Sequence, residues 1–349
     1  MGKKTKTTIK KGNKLPAVAK TKPVVEKKRS TIPWIFLAAS ITAICFLPMM
    51  KNGFTNWDDE FYVVNNASLR GPDWKGILTQ PVVSNYHPLT VLTLAFNYAI
   101  SGTESWSYLF LNLLLHVINT ILVFIFIYRI SGQKTIVAFL TALLFGIHPL
   151  HVESVAWVSE RKDVLYTLFF ILSLMQYWRF LKSGKSTGFW LCFLFFILSL
   201  LSKPAAIILP LVLFLLDYWG DRQFSKKIII EKIPFFLIAG LFAVVTLQLQ
   251  SVTAMTSLDV YPLWVRLLFA CYVIMIYLVR FFIPYPLSAF HPFPPPDNLG
   301  WEVYLSPLFI LVLLYFIWRF RKNKSIVFGL SFFVINVLLK ILGHMINFN

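Results

Sequence analysis

Apolar and polar residues segregate along this chain in long blocks, not in short periods. The apolar runs occupy residues 32–50, 106–128, 135–150, 164–181, 188–202, 204–219, 233–250, 263–283, 303–320 and 325–345. A helix needs roughly 20 such residues to cross about 30 Å of hydrocarbon, where each backbone amide must find its partner within its own segment. The pattern predicts an all-α, polytopic integral membrane protein with about ten transmembrane or membrane-embedded helices. No small-residue cleavage site follows 32–50, so this run reads as an uncleaved anchor. After it comes a long first loop, residues 51–105, more than a plain connector requires. Its "NYHPLTVLTLAFNYAISG" is too short and interrupted to span and reads as an amphipathic helix on the membrane surface.

Composition supports the same class, with 57% hydrophobic, 17% aromatic and only 14% charged residues, beyond what a water-soluble fold carries. Cys45, Cys192 and Cys271 all lie in apolar runs without paired spacing, which excludes a disulfide framework or a cysteine zinc site. The net charge of +18 is concentrated in residues 1–31, "MGKKTKTTIKKGNKLPAVAKTKPVVEKKRST", which read as a disordered basic cytoplasmic tail ahead of a membrane domain over 32–349. Anionic membrane lipids account for that charge, and no nucleic-acid partner is needed.

The links "YRISGQK", "WRFLKSGKSTG", "DYWGDRQFSKKIIIEK" and "WRFRKNKS" hold most remaining Lys and Arg and are predicted to be cytoplasmic. Most carboxylates fall on the opposite face, where chemistry is therefore expected. A single crossing at 263–283 would place "WRFRKNKS" outside, so that segment is expected to be tilted, re-entrant or interfacial, with 284–302 outside.

Three stretches on that face carry candidate chemistry. "GFTNWDDEFYVVNN" sets Asp58, Asp59 and Glu60 side by side after the first apolar run, as a functional acid site or as a solvated loop. "GIHPLHVESVAWVSERKDVLY" gathers His148, His151, Glu153, Glu160, Arg161, Lys162 and Asp163. His148, His151 and Glu153 have spacing suited to a metal, weakened by Pro149 and the lack of a fourth ligand. Arg161 and Lys162 suit an anion, or else snorkel to the interface. In "LLSKPAAIILP", Lys203 sits before Pro204 with no acidic neighbour in sequence, at a break between short segments. A lipid phosphate is its natural partner, and an interface anchor the alternative. Carboxylate as general base, cation as phosphate clamp and apolar bundle as lipid groove are the parts of a lipid-phosphosugar transferase.

Acids just after the first span, followed by outer-loop His and basic residues, resemble the GT-C membrane glycosyltransferases. The blocks "NWDDEFYVVNN", "YHPLTVLTLAFNY", "FGIHPLHVESVAWVSERKDVL", "LSKPAAIILPLVLFLLDYW" and "YPLWVRLLFACYVIMIYLVRFFIPYPLS" resemble the transmembrane and tetratricopeptide-repeat O-mannosyltransferase-like proteins and their bacterial relatives. That resemblance implies an inverting GT-C fold enzyme moving a sugar, such as mannose, from a polyprenyl- or dolichyl-phosphate donor to a Ser/Thr hydroxyl on the extracytoplasmic face. It implies a bacterial inner membrane, or the endoplasmic reticulum in a eukaryote. The family's acidic pair falls on Asp58 and Asp59 as catalytic residues, with Glu60 less clearly matched, and its Lys-Pro motif falls on Lys203 and Pro204. Its Tyr-Arg-Pro-Leu reads Tyr86, His87, Pro88 and Leu89, a titratable group in place of a permanent cation. His87, His148, His151, Glu153, Arg161, Lys162 and Lys203 are the expected substrate-binding set. No cofactor is expected, though a divalent cation would suit the acids. No period of about 34 residues occurs, so against the family's pattern the chain reads as a truncated or a split member, a separate repeat-containing subunit being the partner in the split case. A lipid-linked-sugar transporter, or an inactive or scaffolding remnant of such an enzyme, are the competing readings.

Overall fold

A computed structural model describes residues 1–2, 30–71, 73–251, 261–285, 287–288, 294–295 and 298–346. The chain divides into Met1–Thr31 and Ile32–Asn349. Nearly all of the first unit, and with it the predicted tail, lies outside the described residues, as do Asp259 and Asp297. The second unit is helical: α1 Ile32–Phe46, α2 Trp74–Thr79, α3 Pro88–Ser101, α4 Trp106–Ile130, α5 Thr135–Ile147, α6 Val152–Ala156, α7 Arg161–Ser183, α8 Ser186–Ser202, α9 Leu209–Trp219, α10 Lys226–Ser251, α11 Leu263–Phe282, α12 Trp301–Arg319 and α13 Lys324–Ile346.

All ten apolar runs are helical, yet six helices among the described residues are long and apolar enough to cross a membrane, or seven if α5 and Pro149–Ala156 count as one span bent by 50°. The expected ten is thus not reached as full crossings. The other three, α8, the stretch Pro204–Trp219 and the part of α13 over Lys324–Leu338, are apolar but below spanning length among the described residues. α11 is one continuous helix of 20 residues and qualifies as a span, so a re-entrant shape does not fall there. The bend occurs instead over 135–156.

Prolines set the breaks. The residue before a proline is driven out of the helical region by the ring's clash with its own backbone. His87 (φ −148°), His148 (ψ 131°) and Lys203 (φ −156°, ψ 129°) each sit before a proline that opens the next helical turn. Each break therefore carries an ionisable side chain at a helix end. Gly184, at φ 68°, takes the left-handed conformation that ends α7 and turns the chain directly into α8.

Packing follows from these turns. α7 and α8 form a hairpin whose faces carry Ile171, Leu174, Cys192, Phe196 and Leu200 into a core shared with Leu209, Val212 and Phe235. A second core lies at the other end of α7, where Tyr62, Val63, Leu69, Val91, Leu94 and Tyr108 bury the first loop against α4 and α7. α1, α4 and α5 meet at Gly146, where an added Cβ would lie 2.1 Å from Thr42 Oγ1 and 3.0 Å from Thr120 Oγ1. Only glycine fits that crossing. α3 is a helix as expected, but Val91 and Leu94 are buried and Thr90 Oγ1 donates to Ser202 O at 2.8 Å. It caps the end of α8 instead of lying free on a surface. Outward-facing Leu237, Leu241, Leu311 and Leu314 are exposed, as a lipid-facing surface requires.

Candidate functional site

The first loop, the start of α7 and the break after α8 meet at one end of the bundle, and they bring together acids and cations far apart in sequence. Asp58 and Asp59 occupy successive positions of one helical turn, about 100° apart around its axis, and have opposite surroundings. Asp59 is completely buried. Its Oδ2 accepts from Thr55 N at 2.8 Å and Thr55 Oγ1 at 3.1 Å, and its Oδ1 accepts from Ser159 N at 2.8 Å and from Ser159 Oγ. Four donors leave this carboxylate no free lone pair of useful geometry. Asp58 is 31% exposed at its side chain and, among the described residues, has Lys162 as its one ion-pair partner, at 3.6 Å.

Lys162 is the hub. Its ammonium lies 2.8 Å from Glu160, 3.6 Å from Asp58 and 5.0 Å from the centre of the Tyr62 ring. Lys203 pairs with Asp163 and lies 3.5 Å from Glu160, while Ser154 Oγ donates to Asp163 Oδ2 at 3.0 Å. The unpaired ammonium expected from sequence is therefore already paired. Its acids come from the turn before α7 and from the first turn of α7, forty or more residues earlier, which no local reading of "LLSKPAA" reveals. The chain Asp58–Lys162–Glu160–Lys203–Asp163 is continuous. It ends at a small cavity of about 120 Å³ lined by His116, Asn119, His151, Asp163 and Tyr166. Asn119 is fully buried and its Oδ1 has no partner.

His87 stacks on Tyr62 with ring centres 5.2 Å apart and planes 12° from parallel. Burial, then the nearby charges of Lys162 and Lys203, pulls its pKa down to about 3. It is a neutral ring at physiological pH, and its Nε2 has no partner. Burial, with Asp58 and Glu160 adding, pushes the Tyr62 phenol well above its ordinary value.

The remaining expected residues lie elsewhere or face inward. Arg161 is fully buried, donating to Asn112 Oδ1, to Tyr108 O at 2.8 Å and to Thr93 Oγ1 at 3.4 Å. It ties α3, α4 and α7 together and neither snorkels nor points at an open anion site. His148 stacks on Phe281 and contacts Phe281 O through Nε2 at 2.9 Å. His151 turns to His116 and Phe145. Glu153 and Glu60 are exposed. Among the described residues no three His, Cys, Asp or Glu side chains converge as a metal ligand set. Sequence reasoning left Glu160, Asp163, Ser159, Tyr62 and Asn112 out of the site. Glu160 and Asp163 had a signal, because both stand in the ionisable cluster "SERKD".

The fold and this end of the bundle define the class: an all-α polytopic integral membrane protein with an acid and amine cluster where its helices break. Over part of its length the chain is similar in sequence to proteins named as protein O-mannosyl-transferases. It is 30% identical to Protein O-mannosyl-transferase TMTC1 of Homo sapiens over 164 residues, 44% of this chain and 18% of that protein. Against Protein O-mannosyl-transferase TMTC4 of Homo sapiens it is 30% identical over 228 residues, 56% of this chain and 31% of that protein. Against Protein O-mannosyl-transferase TMTC2 of Mus musculus it is 39% identical over 111 residues, 32% and 13%. The chain thus spans less than a third of the length of these relatives, all eukaryotic. No family model matches it, and no solved structure matches it.

Proposed function

We propose that this protein transfers a sugar, in the mannosyl class its relatives are named for, from a polyprenyl-phosphate donor to a Ser or Thr hydroxyl by a single inverting displacement. The observation that supports the reading is the division between the two adjacent acids. Asp59 spends its lone pairs holding the loop to Ser159, whereas Asp58 is open to solvent and faces one ammonium. Asp58 is then the general base. It takes the proton from the acceptor hydroxyl as that oxygen bonds to the anomeric carbon, while the bond from that carbon to the phosphate oxygen breaks and the electron pair leaves with the lipid phosphate.

Lys162 suits the growing charge on the leaving phosphate, because its ammonium adjoins Asp58 and is held in place by Glu160 and the Tyr62 ring. Lys203 adds a second positive centre through the shared Glu160. The position between Asp58 and Glu160 that a divalent ion would take is filled by Lys162, so the displacement proposed here draws on no cofactor. The extracytoplasmic side and the membrane that holds the protein belong to the same proposal.

The test is purified protein in detergent with polyprenyl-phosphate mannose and Ser/Thr peptides, products read by mass spectrometry. Mannosylated peptide in the parent, reduced roughly 100- to 10,000-fold in Asp58→Asn with donor binding kept, is the expected result. Full turnover in Asp58→Asn removes the base from this mechanism.

A further inference from the structure

The two ends of the bundle differ in their chemistry. α7 runs between them, its 23 residues covering about 34 Å at about 1.5 Å per residue, close to the roughly 30 Å hydrocarbon thickness of a bilayer. At the end away from Asp58, the last turns of α4 and α7, the end of α9 and the start of α13 enclose an open groove of about 440 Å³. Arg129, Lys182, Lys324, Trp178, Trp219 and Asp221 line it.

A neighbouring group shows what charge-complete packing looks like at this end. Arg222 reaches Glu231 at 2.5 and 2.8 Å and Asp217 at 3.2 Å, while the buried Lys232 bonds Asp217 and Tyr177. The groove is not balanced in that way. It holds three cations against one acid. Asp221 pairs with Lys324 at 2.5 Å but is 85% exposed at its side chain, and exposed pairs of this kind hold each other weakly. Arg129 and Lys182 have no carboxylate partner among the described residues.

The aromatic walls keep these charges in place. Lys182 lies 4.5 Å over the Trp178 ring, and Lys324 lies 5.7 and 5.6 Å over Tyr218 and Trp219. Trp219 Nε1 donates to Ile130 O at 2.9 Å, which fixes one wall to the end of α4. Indoles beside amines at the end of membrane-length helices mark headgroup depth. α5 begins just past the groove with Ile136, Val137 and Leu140 exposed, an apolar wall for acyl chains.

We propose that this groove binds the phosphate headgroup of an acidic phospholipid, at the bilayer face opposite the Asp58 cluster. Inorganic phosphate shares the charge but leaves the apolar wall unused, so the lipid is the stronger ligand.

The test uses the full chain in detergent with added phosphatidylglycerol, phosphatidylcholine or inorganic phosphate, read by native mass spectrometry and by the thermal unfolding midpoint. Phosphatidylglycerol is expected to stay bound and raise the midpoint, and the other two are not. Each cation at a membrane surface contributes about fivefold in affinity, so Arg129→Gln with Lys182→Gln should weaken phosphatidylglycerol about 25-fold. Lys226→Gln with Lys227→Gln removes the same charge from the exposed start of α10, outside the groove, and should change affinity less than twofold. Equal losses in the two pairs would reduce the effect to bulk attraction, and equal binding of phosphatidylcholine would remove the headgroup preference. Inorganic phosphate binding as tightly as the lipid would likewise overturn the proposal.

Discussion

Asparagine at position 59 tests the division of labour between the two acids most directly. Asp59 accepts from two backbone amides and two hydroxyls in a site without solvent. Asn keeps the shape but offers one oxygen, and its amino group turns two donors against either Thr55 or Ser159. The hydroxyl there can rotate to accept, but the backbone N–H cannot. One buried donor is stranded, at about 1 to 3 kcal/mol, and the surviving bonds lose their charge assistance, about 1 kcal/mol each. Asp59→Asn should therefore lose about 3 to 5 kcal/mol of stability. Asp58→Asn, with one loose ion pair at 3.6 Å, should lose less than about 1 kcal/mol. Size-exclusion chromatography after graded heating in detergent reads the first quantity, and peptide mannosylation reads turnover. The expected pattern is an early-melting Asp59 variant and a stable but slow Asp58 variant. A stable, inactive Asp59→Asn beside a fully active Asp58→Asn would refute the reasoning and exchange the roles.

Three further outcomes follow from the same geometry. Lys203→Met leaves Asp163 and Glu160 facing each other without their shared amine, and should cost about 2 kcal/mol after allowance for partial exposure, with Asp163→Asn in the same chain restoring part of it; no recovery in the double variant would disprove the coupling. His87 is neutral in the fold with a pKa of about 3, against about 6.5 unfolded, so its contribution is present above pH 6.5 and is lost as pH falls towards 3. Between pH 6.5 and 5 the parent should lose about 2 kcal/mol through this ring, a slope that His87→Phe removes, and an unchanged slope would place the titration elsewhere. Treatment with a chelator, followed by desalting, should leave sugar transfer intact, because Lys162 supplies the positive charge between Asp58 and Glu160; loss of activity restored by a divalent ion would assign that place to a metal.

The helices were legible because lipid imposes one rule on every segment, and the ten apolar runs obey it. Which of them cross fully was not, since α8, Pro204–Trp219 and Lys324–Leu338 are apolar like the spans yet shorter, and a full crossing turns on length. The breaks at His87, His148 and Lys203 were equally open to reading, each marked by a proline. Long-range pairing was the hidden part. Nothing near Lys203 names Asp163, and nothing in "WDDE" says that Asp59 faces inward to Ser159 while Asp58 faces Lys162. Arg161 and Lys162 look interchangeable as neighbours, yet one turns into the bundle among Asn112, Tyr108 and Thr93 and the other turns to the acids.

The bond from Ser159 to Asp59 joins residues 100 positions apart, and this has a consequence for the order in which the protein is made. A ribosome adding about 5 to 20 residues per second needs roughly 5 to 20 s between the two. Until Ser159 is made, the acid has only Thr55 of these two partners to bond. α4 and α5 are both synthesised before that partner exists. The loop's final shape is thus set late, by the arrival of the segment that opens α7. A nascent chain arrested before Ser159 should expose the first loop to protease, and one arrested well beyond it should protect that loop.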